Sequence, residues 1–419
     1  MKKLKPVVVL GGGVSGRAAA HLADTLRMPW MILNDGEGTD IPAEAGLIVA
    51  SPGMHPLRSQ LWRQAASSGI EFISELEFAS RHFPLPCAAI TGTNGKTTTT
   101  ELVSLLLSCQ GMQTVAAGNI GLPLAEIAAR RLEGGETELR AAAVEVSSFQ
   151  LELTTTFAPR AAVLLNLASD HVDRYRGGFE EYCRVKESIF DRVAPENRIR
   201  GLSFAGAPRR VTVEDGRLLL DGEALIEVAA TKLRAPHNLE NLAAATEVLV
   251  RFLPDFDRRK YREAVTGYVP GHHRIETVAE RGGVTYIDDS KATNPASVLA
   301  AAAAIPGGKL VLLLGGLGKG MDFAPLRTLI PRLRAAVLIG EARHDIAEVL
   351  RGEVPCADCE RDFELAVRTA AKLAEAGDTV LLSPACASMD MFRDYKDRGD
   401  RFAELVRELP EREAPSPKN

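Results

Sequence analysis

The sequence predicts an α/β protein of three domains, each built on a parallel sheet, over residues 1–86, 87–269 and 270–419. Three observations lead there. Short apolar runs alternate with amphipathic stretches along the whole chain, the pattern of parallel strands covered by helices. Several of those runs end in glycine-rich or polar loops, where open α/β sheets build their sites. Two proline-bearing breaks, Phe83-Pro84-Leu85-Pro86 and Tyr268-Val269-Pro270-Gly271, divide the 419 residues into pieces of ordinary domain size.

Strands are expected at 7–10, 31–34 and 46–50, then at 88–91, 142–146 and 161–166, then at 309–314, 335–339 and 379–383. Residues 209–228 alternate and turn at Glu214-Asp215-Gly216 and Asp221-Gly222, so an antiparallel hairpin insert is expected there. The polar tail at 411–419 is expected to be disordered. The chain is 46% hydrophobic and 25% charged, ample for several cores. Its net charge of -5 comes without a basic block, so nucleic acid is not an expected partner. No apolar run reaches membrane-spanning length, so neither is a membrane. The start, Met1-Lys2-Lys3-Leu4-Lys5-Pro6, resembles that of a signal peptide, but the apolar stretch after it is four residues long and reads as a strand. Six scattered cysteines suit a reducing cytoplasm, and the lone pair Cys356 and Cys359 lacks a second pair at zinc spacing.

In the first domain Gly11-Gly12-Gly13-Val14-Ser15-Gly16 follows a strand and opens a helix. It fits G-x-G-x-x-G, and Asp35 closes the next strand where a ribose-binding acid is expected. The domain is therefore read as Rossmann-like. Alone, the motif suits a nicotinamide or flavin cofactor. A glycine turn at a helix N-terminus nevertheless binds any diphosphate, including that of a UDP-sugar. A turn shaped only for close helix–strand packing is the bland alternative. The loop Ala50-Ser51-Pro52-Gly53 ends another strand and would complete the site.

The most informative segment is Thr91-Gly92-Thr93-Asn94-Gly95-Lys96-Thr97-Thr98, between an apolar strand and a helical run. It has the makings of a phosphate cradle: glycines let N–H groups converge on an anion, the helix dipole adds positive potential, and Lys96 adds a full charge. A threonine hydroxyl beside the lysine can hold the Mg²⁺ of a nucleoside triphosphate. The spacing is not a strict Walker motif, because only Thr93 and Asn94 separate Gly92 from Gly95-Lys96. The central domain is accordingly read as a P-loop mononucleotide-binding parallel-sheet domain. Glu145 ends a strand, as a Mg²⁺ ligand or as an ion-paired carboxylate. His171 stands between Asp170 and Asp173 in an acidic loop, suited to a second divalent ion. Lys186 reads from composition as an ordinary helix-surface lysine. Asn238 and Asn241, three apart, face one way and could read a nucleobase edge; N-capping by Asn238 is an equally good account.

The last domain places Arg274 directly after the second break. It then offers Asp289-Ser290-Lys291-Ala292-Thr293-Asn294, Gly315-Gly316-Leu317-Gly318-Lys319 and Ser383-Pro384-Ala385-Cys386-Ala387-Ser388, each leaving a strand. Lys291, Thr293, Lys319 and Ser388 together would form a pocket for a small dicarboxylate. Cys386 has no histidine near it in sequence and reads as a packed, inert thiol.

These residues resemble the Mur ligase superfamily, which also includes folylpolyglutamate synthetases. The loop Thr91-Gly92-Thr93-Asn94-Gly95-Lys96-Thr97 is specific to that group. Asn119-Ile120-Gly121-Leu122-Pro123, with the loops at 289–294 and 383–388, narrows the resemblance to the branch that adds D-glutamate to UDP-N-acetylmuramoyl-L-alanine. What it implies is a cytoplasmic, monomeric, ATP-dependent amide ligase of peptidoglycan precursor synthesis, with a Rossmann-like C-terminal domain. Such an enzyme passes through an acyl phosphate and releases ADP and phosphate.

The resemblance also implies roles. Gly92, Thr93, Asn94, Gly95, Lys96, Thr97 and Thr98 would hold ATP, with Asn238, Asn241, Arg274 and Asp289. Thr97 and Glu145 would hold one Mg²⁺; His171 and Lys186 would serve a second, with Lys186 carbamylated by CO₂ into an anionic oxygen ligand. Ser15, Asp35, Ser51, Gly53, Asn119 and Ser147 would bind the UDP-substrate. Lys291, Thr293, Lys319, Ser388 and Tyr395 would bind D-glutamate. Lys96, His171 and Lys186 would be the catalytic groups. As a metal ligand His171 is a poor base, so the acceptor of the amine's proton stays open. Two positions depart from the family pattern: Gly36 stands where a threonine is common, and Tyr395 where phenylalanine is usual.

Overall fold

The computed structural model describes residues 4–37 and 40–410. The expectations for the first three residues and for the tail at 411–419 fall outside them.

The first sheet holds β1 (Val7–Leu10), β2 (Trp30–Leu33), β3 (Leu47–Ala50) and β4 (Phe72–Ser74), all parallel in the order β2-β1-β3-β4. Every side chain of β1 and β3 is buried, as expected of strands covered on both faces. Its helices are α1 (Val14–Thr25), α2 (Gln60–Ser67) and α3 (Glu75–Ser80). The second sheet holds β5 (Cys87–Thr91), β6 (Thr114–Gly118), β7 (Ala141–Glu145), β8 (Ala161–Leu164) and β9 (Arg198–Arg200), all parallel in the order β6-β7-β5-β8-β9. Around it lie α4 (Lys96–Cys109), α5 (Leu124–Leu132), α6 (Ser148–Leu151), α7 (Gly178–Glu187), α8 (Pro236–Phe252) and α9 (Arg258–Gly267).

The expected antiparallel insert is a meander of β10 (Val211–Glu214), β11 (Arg217–Leu220) and β12 (Glu223–Glu227). Both turns, Asp215-Gly216 and Asp221-Gly222, have positive φ at both residues, the two-residue hairpin geometry. The last sheet holds β13 (Glu276–Arg281), β14 (Val284–Asp288), β15 (Leu310–Gly315), β16 (Leu333–Ile339), β17 (Cys356–Asp358) and β18 (Thr379–Leu382). Its order is β13-β14-β18-β15-β16-β17, parallel except for β13 against β14. It carries α10 (Pro295–Ala304), α11 (Arg343–Leu350), α12 (Phe363–Leu373) and α13 (Tyr395–Glu408). All nine expected strands form, within two residues at either end.

The chain packs as two compact units: Met1–Leu167 with Arg174–Val269, and Ala168–Asp173 with Pro270–Asn419. The division after Val269 falls inside the second expected break. At Phe83-Pro84-Leu85-Pro86 packing continues, because one apolar cluster runs from Val7, Leu22 and Phe78 to Ile127, Val144 and Phe190. The first two sheets therefore share a core.

A short polar seam reinforces that core. Glu77 on α3 is fully buried, and it accepts the N–H groups of Thr155, Thr156 and Phe157 at 3.0–3.1 Å. The Thr156 hydroxyl and Arg81 also donate to it. Ser74 adds its N–H to the Leu153 carbonyl at 2.9 Å and its hydroxyl to that of Thr154 at 2.7 Å. Burial pushes the Glu77 carboxyl up. The bonds from Thr156, Thr155 and Arg81 outweigh that effect and hold it below the ordinary carboxylate range. A depressed carboxylate stabilises the fold above its unfolded pKa and loses that contribution as pH falls through its folded value. Glu77→Gln should therefore cost about 2–4 kcal/mol in urea denaturation at pH 7. The gap from wild type should narrow in acid, where the wild-type carboxyl also protonates; an equal gap at pH 7 and in acid contradicts this reading.

Candidate active site

In the second sheet β5 is central, and the chain leaves it first toward β6 and β7 and later toward β8. The loop after β5 thus lies where the strand order reverses, the usual place for a ligand crevice. Gly95 caps α4 with φ of 83°, and Lys96 is the first helical residue. A Cβ at Gly95 would stand 2.1 Å from the Asn241 Oδ1, so glycine is required by space as well as by φ. The Lys96 ammonium turns back on its own loop, donating to the carbonyls of Gly92 at 2.9 Å and Thr93 at 2.7 Å. Thr97 is half-buried in the first turn of α4, while Thr98 beside it is buried.

Asn166, just beyond β8, holds this loop from the side. Its Oδ1 accepts the Asn94 N–H at 2.9 Å, its Nδ2 donates to the Asn94 carbonyl at 3.2 Å, and its own carbonyl accepts the Thr93 N–H at 3.1 Å. The Thr93 and Tyr182 hydroxyls meet at 2.9 Å. Sequence reasoning assigned neither Asn166 nor Tyr182 a role.

Lys186, read from composition as a surface lysine, is buried. The reason is the turn of α7 toward the loop: the Lys186 Nζ donates to the Gly92 carbonyl at 2.8 Å and lies 4.9 Å from the Tyr182 ring centroid. Glu145 ends β7 and is buried. Its Oε1 accepts from the Asn119 amide at 2.8 Å, and its Oε2 has no hydrogen-bond partner among the described residues. A buried carboxylate oxygen left this way fits a bound cation. Among the described residues no three His, Cys, Asp or Glu side chains gather as a metal cluster. Ser147 caps α6 in a reciprocal box with Gln150. His171, at φ 52°, belongs to the segment Ala168–Asp173 that packs with the second unit; its Nε2 lies 3.6 Å from Asp170.

Asn238 does not cap α8. The helix begins at Pro236 with Ala235 at the cap, so Asn238 lies within its first turn. Asn241 is buried against α4, where its Oδ1 accepts from the Thr99 hydroxyl at 3.2 Å.

In the first sheet the loops after β1 and β3 meet at the switch point. The Ser51 N–H donates to the Leu10 carbonyl at 2.9 Å, and Gly53 lies in the same loop. Ser15 is in the first turn of α1. Asp35, two residues past β2, accepts the Leu61 N–H at 3.1 Å. Asn34 accepts the Gly12 N–H at 2.7 Å, a contact that sequence reasoning missed. A Cβ on Gly16 would stand 1.8 Å from the Gly11 carbonyl oxygen, so this third glycine serves close packing.

In the second unit β14, β18 and β15 are neighbours, so the loops after them share one edge. Leu317 and Ala387 exchange backbone bonds at 2.8 and 3.2 Å, which joins the loops that carry Lys319 and Ser388. The Lys291 ammonium sits 3.9 Å from the centroid of the Tyr395 ring, and the Tyr395 carbonyl accepts the Ser290 hydroxyl at 2.7 Å. Thr293 lies in the Lys291 loop, one residue before the Asn294 cap of α10. Asp289 is buried, accepts from the Ser383 hydroxyl at 2.9 Å, and is pushed up to about 8, chiefly by burial. Asp288 beside it also raises it, while the Arg274 charge pulls the other way. Cys386 is fully buried and its thiol is pushed up to about 12 by burial, as an inert thiol should be. Arg398 on α13 was not foreseen. It is buried and donates to the Ser290 hydroxyl at 2.9 Å and carbonyl at 2.8 Å, and to the Cys386 carbonyl at 3.1 Å.

Comparison with known proteins identifies the family. Residues 90–202 match the Mur ligase middle domain, and residues 273–386 match the Mur ligase, glutamate ligase domain. The UDP-N-acetylmuramoylalanine–D-glutamate ligase of Geobacter metallireducens is 40% identical over 89% of this chain and 85% of its own length. That of Frankia casuarinae is 39% identical over 96% of this chain and 94% of its own. The crystal structure of UDP-N-acetylmuramate-alanine ligase MurC from Thermotoga maritima shares the fold, with TM-score 0.59 at 18% identity over 97% of this chain and 99% of that one. The chain belongs to the Mur ligase family, in the branch of the UDP-N-acetylmuramoylalanine–D-glutamate ligases.

Proposed function

We propose that this chain joins the amine of D-glutamate to the L-alanyl carboxylate of UDP-N-acetylmuramoyl-L-alanine, using ATP and releasing ADP and phosphate, in peptidoglycan precursor synthesis. The observation that carries the reading is the loop around Lys96, held in shape by Asn166, beside the buried, half-satisfied Glu145.

We divide the work among three domains. Residues 1–86 form a Rossmann-like domain for the UDP end, with Ser15, Asp35, Ser51 and Gly53, while Asn119 and Ser147 meet the muramoyl part. Residues 87–269 bind ATP, and Rossmann-like residues 270–419 bring D-glutamate on Lys291, Thr293, Lys319, Ser388 and Tyr395. Arg274, Asp289, Asn238 and Asn241 position the nucleotide.

A carboxylate is a poor electrophile. Its oxygen attacks the γ-phosphorus, the bond to the β-phosphate oxygen breaks, and an acyl phosphate forms with ADP. The D-glutamate amine then attacks the acyl carbon, and phosphate leaves from a tetrahedral intermediate. Lys96 exchanges its loop carbonyls for the triphosphate and offsets the repulsion between two anions. Thr97 and Glu145 would hold one Mg²⁺, and His171 with carbamylated Lys186 a second. Magnesium, when bound, supplies charge neutralisation of the triphosphate. The carbamate forms as the neutral Lys186 amine adds to CO₂ and loses a proton; its support is the burial of Nζ beside the Gly92 carbonyl. Lys291 and Lys319 pair with the D-glutamate carboxylates, and the Tyr395 ring steadies Lys291.

The substrates are small molecules, and no nucleic acid enters the scheme. We take the enzyme to act as a monomer, as the resemblance implies. All six cysteines are free, which supports the cytoplasm. No helix among the described residues is long and apolar enough to cross a membrane.

ADP release measured with the UDP-muramoyl-alanine acceptor and a panel of amino acids should depend on D-glutamate. Lys96→Ala should lower kcat by about a thousandfold or more. Turnover with L-alanine or a diamino acid instead would overturn the assignment. Glu145→Gln should raise the half-saturating Mg²⁺ about tenfold or more at saturating ATP; an unchanged Mg²⁺ titration would remove Glu145 from the metal site.

A further inference from the structure

Glu75 opens α3 and is fully buried where α3 meets α5. Its Oε1 accepts the Ala125 N–H at 2.8 Å. Ala125 is the second residue of α5, and the residue at that helix's own cap is Pro123, whose side chain has nothing to offer an N–H. The N-terminal domain thus supplies across the seam a cap that α5 lacks. Helix α5 starts directly after Asn119-Ile120-Gly121-Leu122-Pro123. The front of that loop is tied to Glu145, through the Asn119 N–H to the Glu145 carbonyl at 2.9 Å and through the Asn119 amide to the carboxylate. Glu75 ties its far end.

The buried Gln150 side chain lies beside Glu75 and favours its ionised form. Gln150 Oε1 in turn accepts the Ser147 N–H at 3.0 Å and hydroxyl at 3.1 Å. The hydrogen bond that the Glu75 carboxylate makes is to the Ala125 N–H, at the far end of the Asn119 loop.

We propose that Glu75 is a positioning residue for the UDP-muramoyl substrate, holding Asn119 in register by capping α5 from the neighbouring domain. This rests on the reading that Asn119 meets that substrate. A structural role alone explains Glu75 poorly. Its Oε2 has no hydrogen-bond partner among the described residues, and burial pushes the carboxyl up to about 7. An acid whose folded pKa is raised disfavours the fold once pH climbs past its unfolded value, so at neutral pH and above the group costs stability.

The test compares Glu75→Leu, Glu75→Gln and Asn119→Ala with the wild-type enzyme by KM for each of the three substrates, with thermal melts. Glu75→Leu should raise the acceptor KM about five- to tenfold, the size of a lost helix cap, and leave the ATP and D-glutamate KM within about twofold. Glu75→Gln keeps an oxygen for the Ala125 N–H, so it should melt no lower than wild type and recover most of the acceptor KM. If Glu75→Leu does not fold, the Glu75→Gln variant decides: a lowered melt with unchanged acceptor KM makes Glu75 structural and overturns the proposal. Equal loss toward all three substrates overturns it too. An acceptor KM raised by Asn119→Ala but by neither Glu75 variant refutes this inference alone. No effect of Asn119→Ala refutes the site reading and this inference with it.

Discussion

The structure depends first on how the glycine loop before Lys96, with its N–H groups, is kept in shape. A phosphate cradle must present those groups convergently, and an unsupported glycine loop would spend its time in other conformations. Asn166 answers this by matching the Asn94 N–H and carbonyl with its own amide, while its backbone takes the Thr93 N–H. Gly95 and Asn241 fit each other so closely that no Cβ can come between them. The same device recurs in the first sheet, where Asn34 at the end of β2 takes the Gly12 N–H. In both sheets a side chain leaving a neighbouring strand fixes the glycine turn.

Buried charge has a consistent use in this fold. Glu77, Glu75 and Arg398 are each withdrawn from water, and each is spent on backbone groups of other segments. Burial pulls the Arg398 guanidinium down to about 10, with Cys386, Asp390, Asp288 and Asp289 acting the other way. Arg398 ties the loop after β14 to the loop after β18 through the Ser290 and Cys386 carbonyls. Burial works against the charged forms of Glu75 and Arg398, so their use is in position, while Glu77 also adds stability through its hydrogen bonds. Lys186 is withdrawn from water in the same way, with its Nζ on the Gly92 carbonyl at the root of the phosphate loop.

What could be read from the sequence was what is local. The phosphate loop is legible because strand, glycines, lysine and helix lie within a dozen residues. The meander is legible because Asp-Gly pairs set its turns. Six strands outside the meander were missed: Phe72–Ser74, Arg198–Arg200 and Cys356–Asp358 are edges of three residues each, Glu276–Arg281 is an edge with four charged or hydroxyl side chains, Thr114–Gly118 is an edge of small residues, and Val284–Asp288 is an interior strand interrupted by polar positions. Asn166 lies 72 residues from Asn94, and Arg398 lies 108 from Ser290, so nothing local marks either pairing. The surface reading of Lys186 failed for the same reason, because its partner Gly92 is 94 residues away. Asn238 misled differently. A helix may start on proline, which needs no N–H there, so the helix began two residues before its asparagine.

The central claim is that the loop around Lys96 is a triphosphate site shaped before its ligand arrives. Calorimetric titration of a non-hydrolysable ATP analogue with Mg²⁺ into wild type and Asn166→Ala tests it most directly, with circular dichroism to confirm that both are folded. The account predicts saturable binding to the wild type and a Kd raised about tenfold or more in Asn166→Ala, equivalent to about 1.4 kcal/mol. No binding to the wild type, or the same Kd for both proteins, would contradict it.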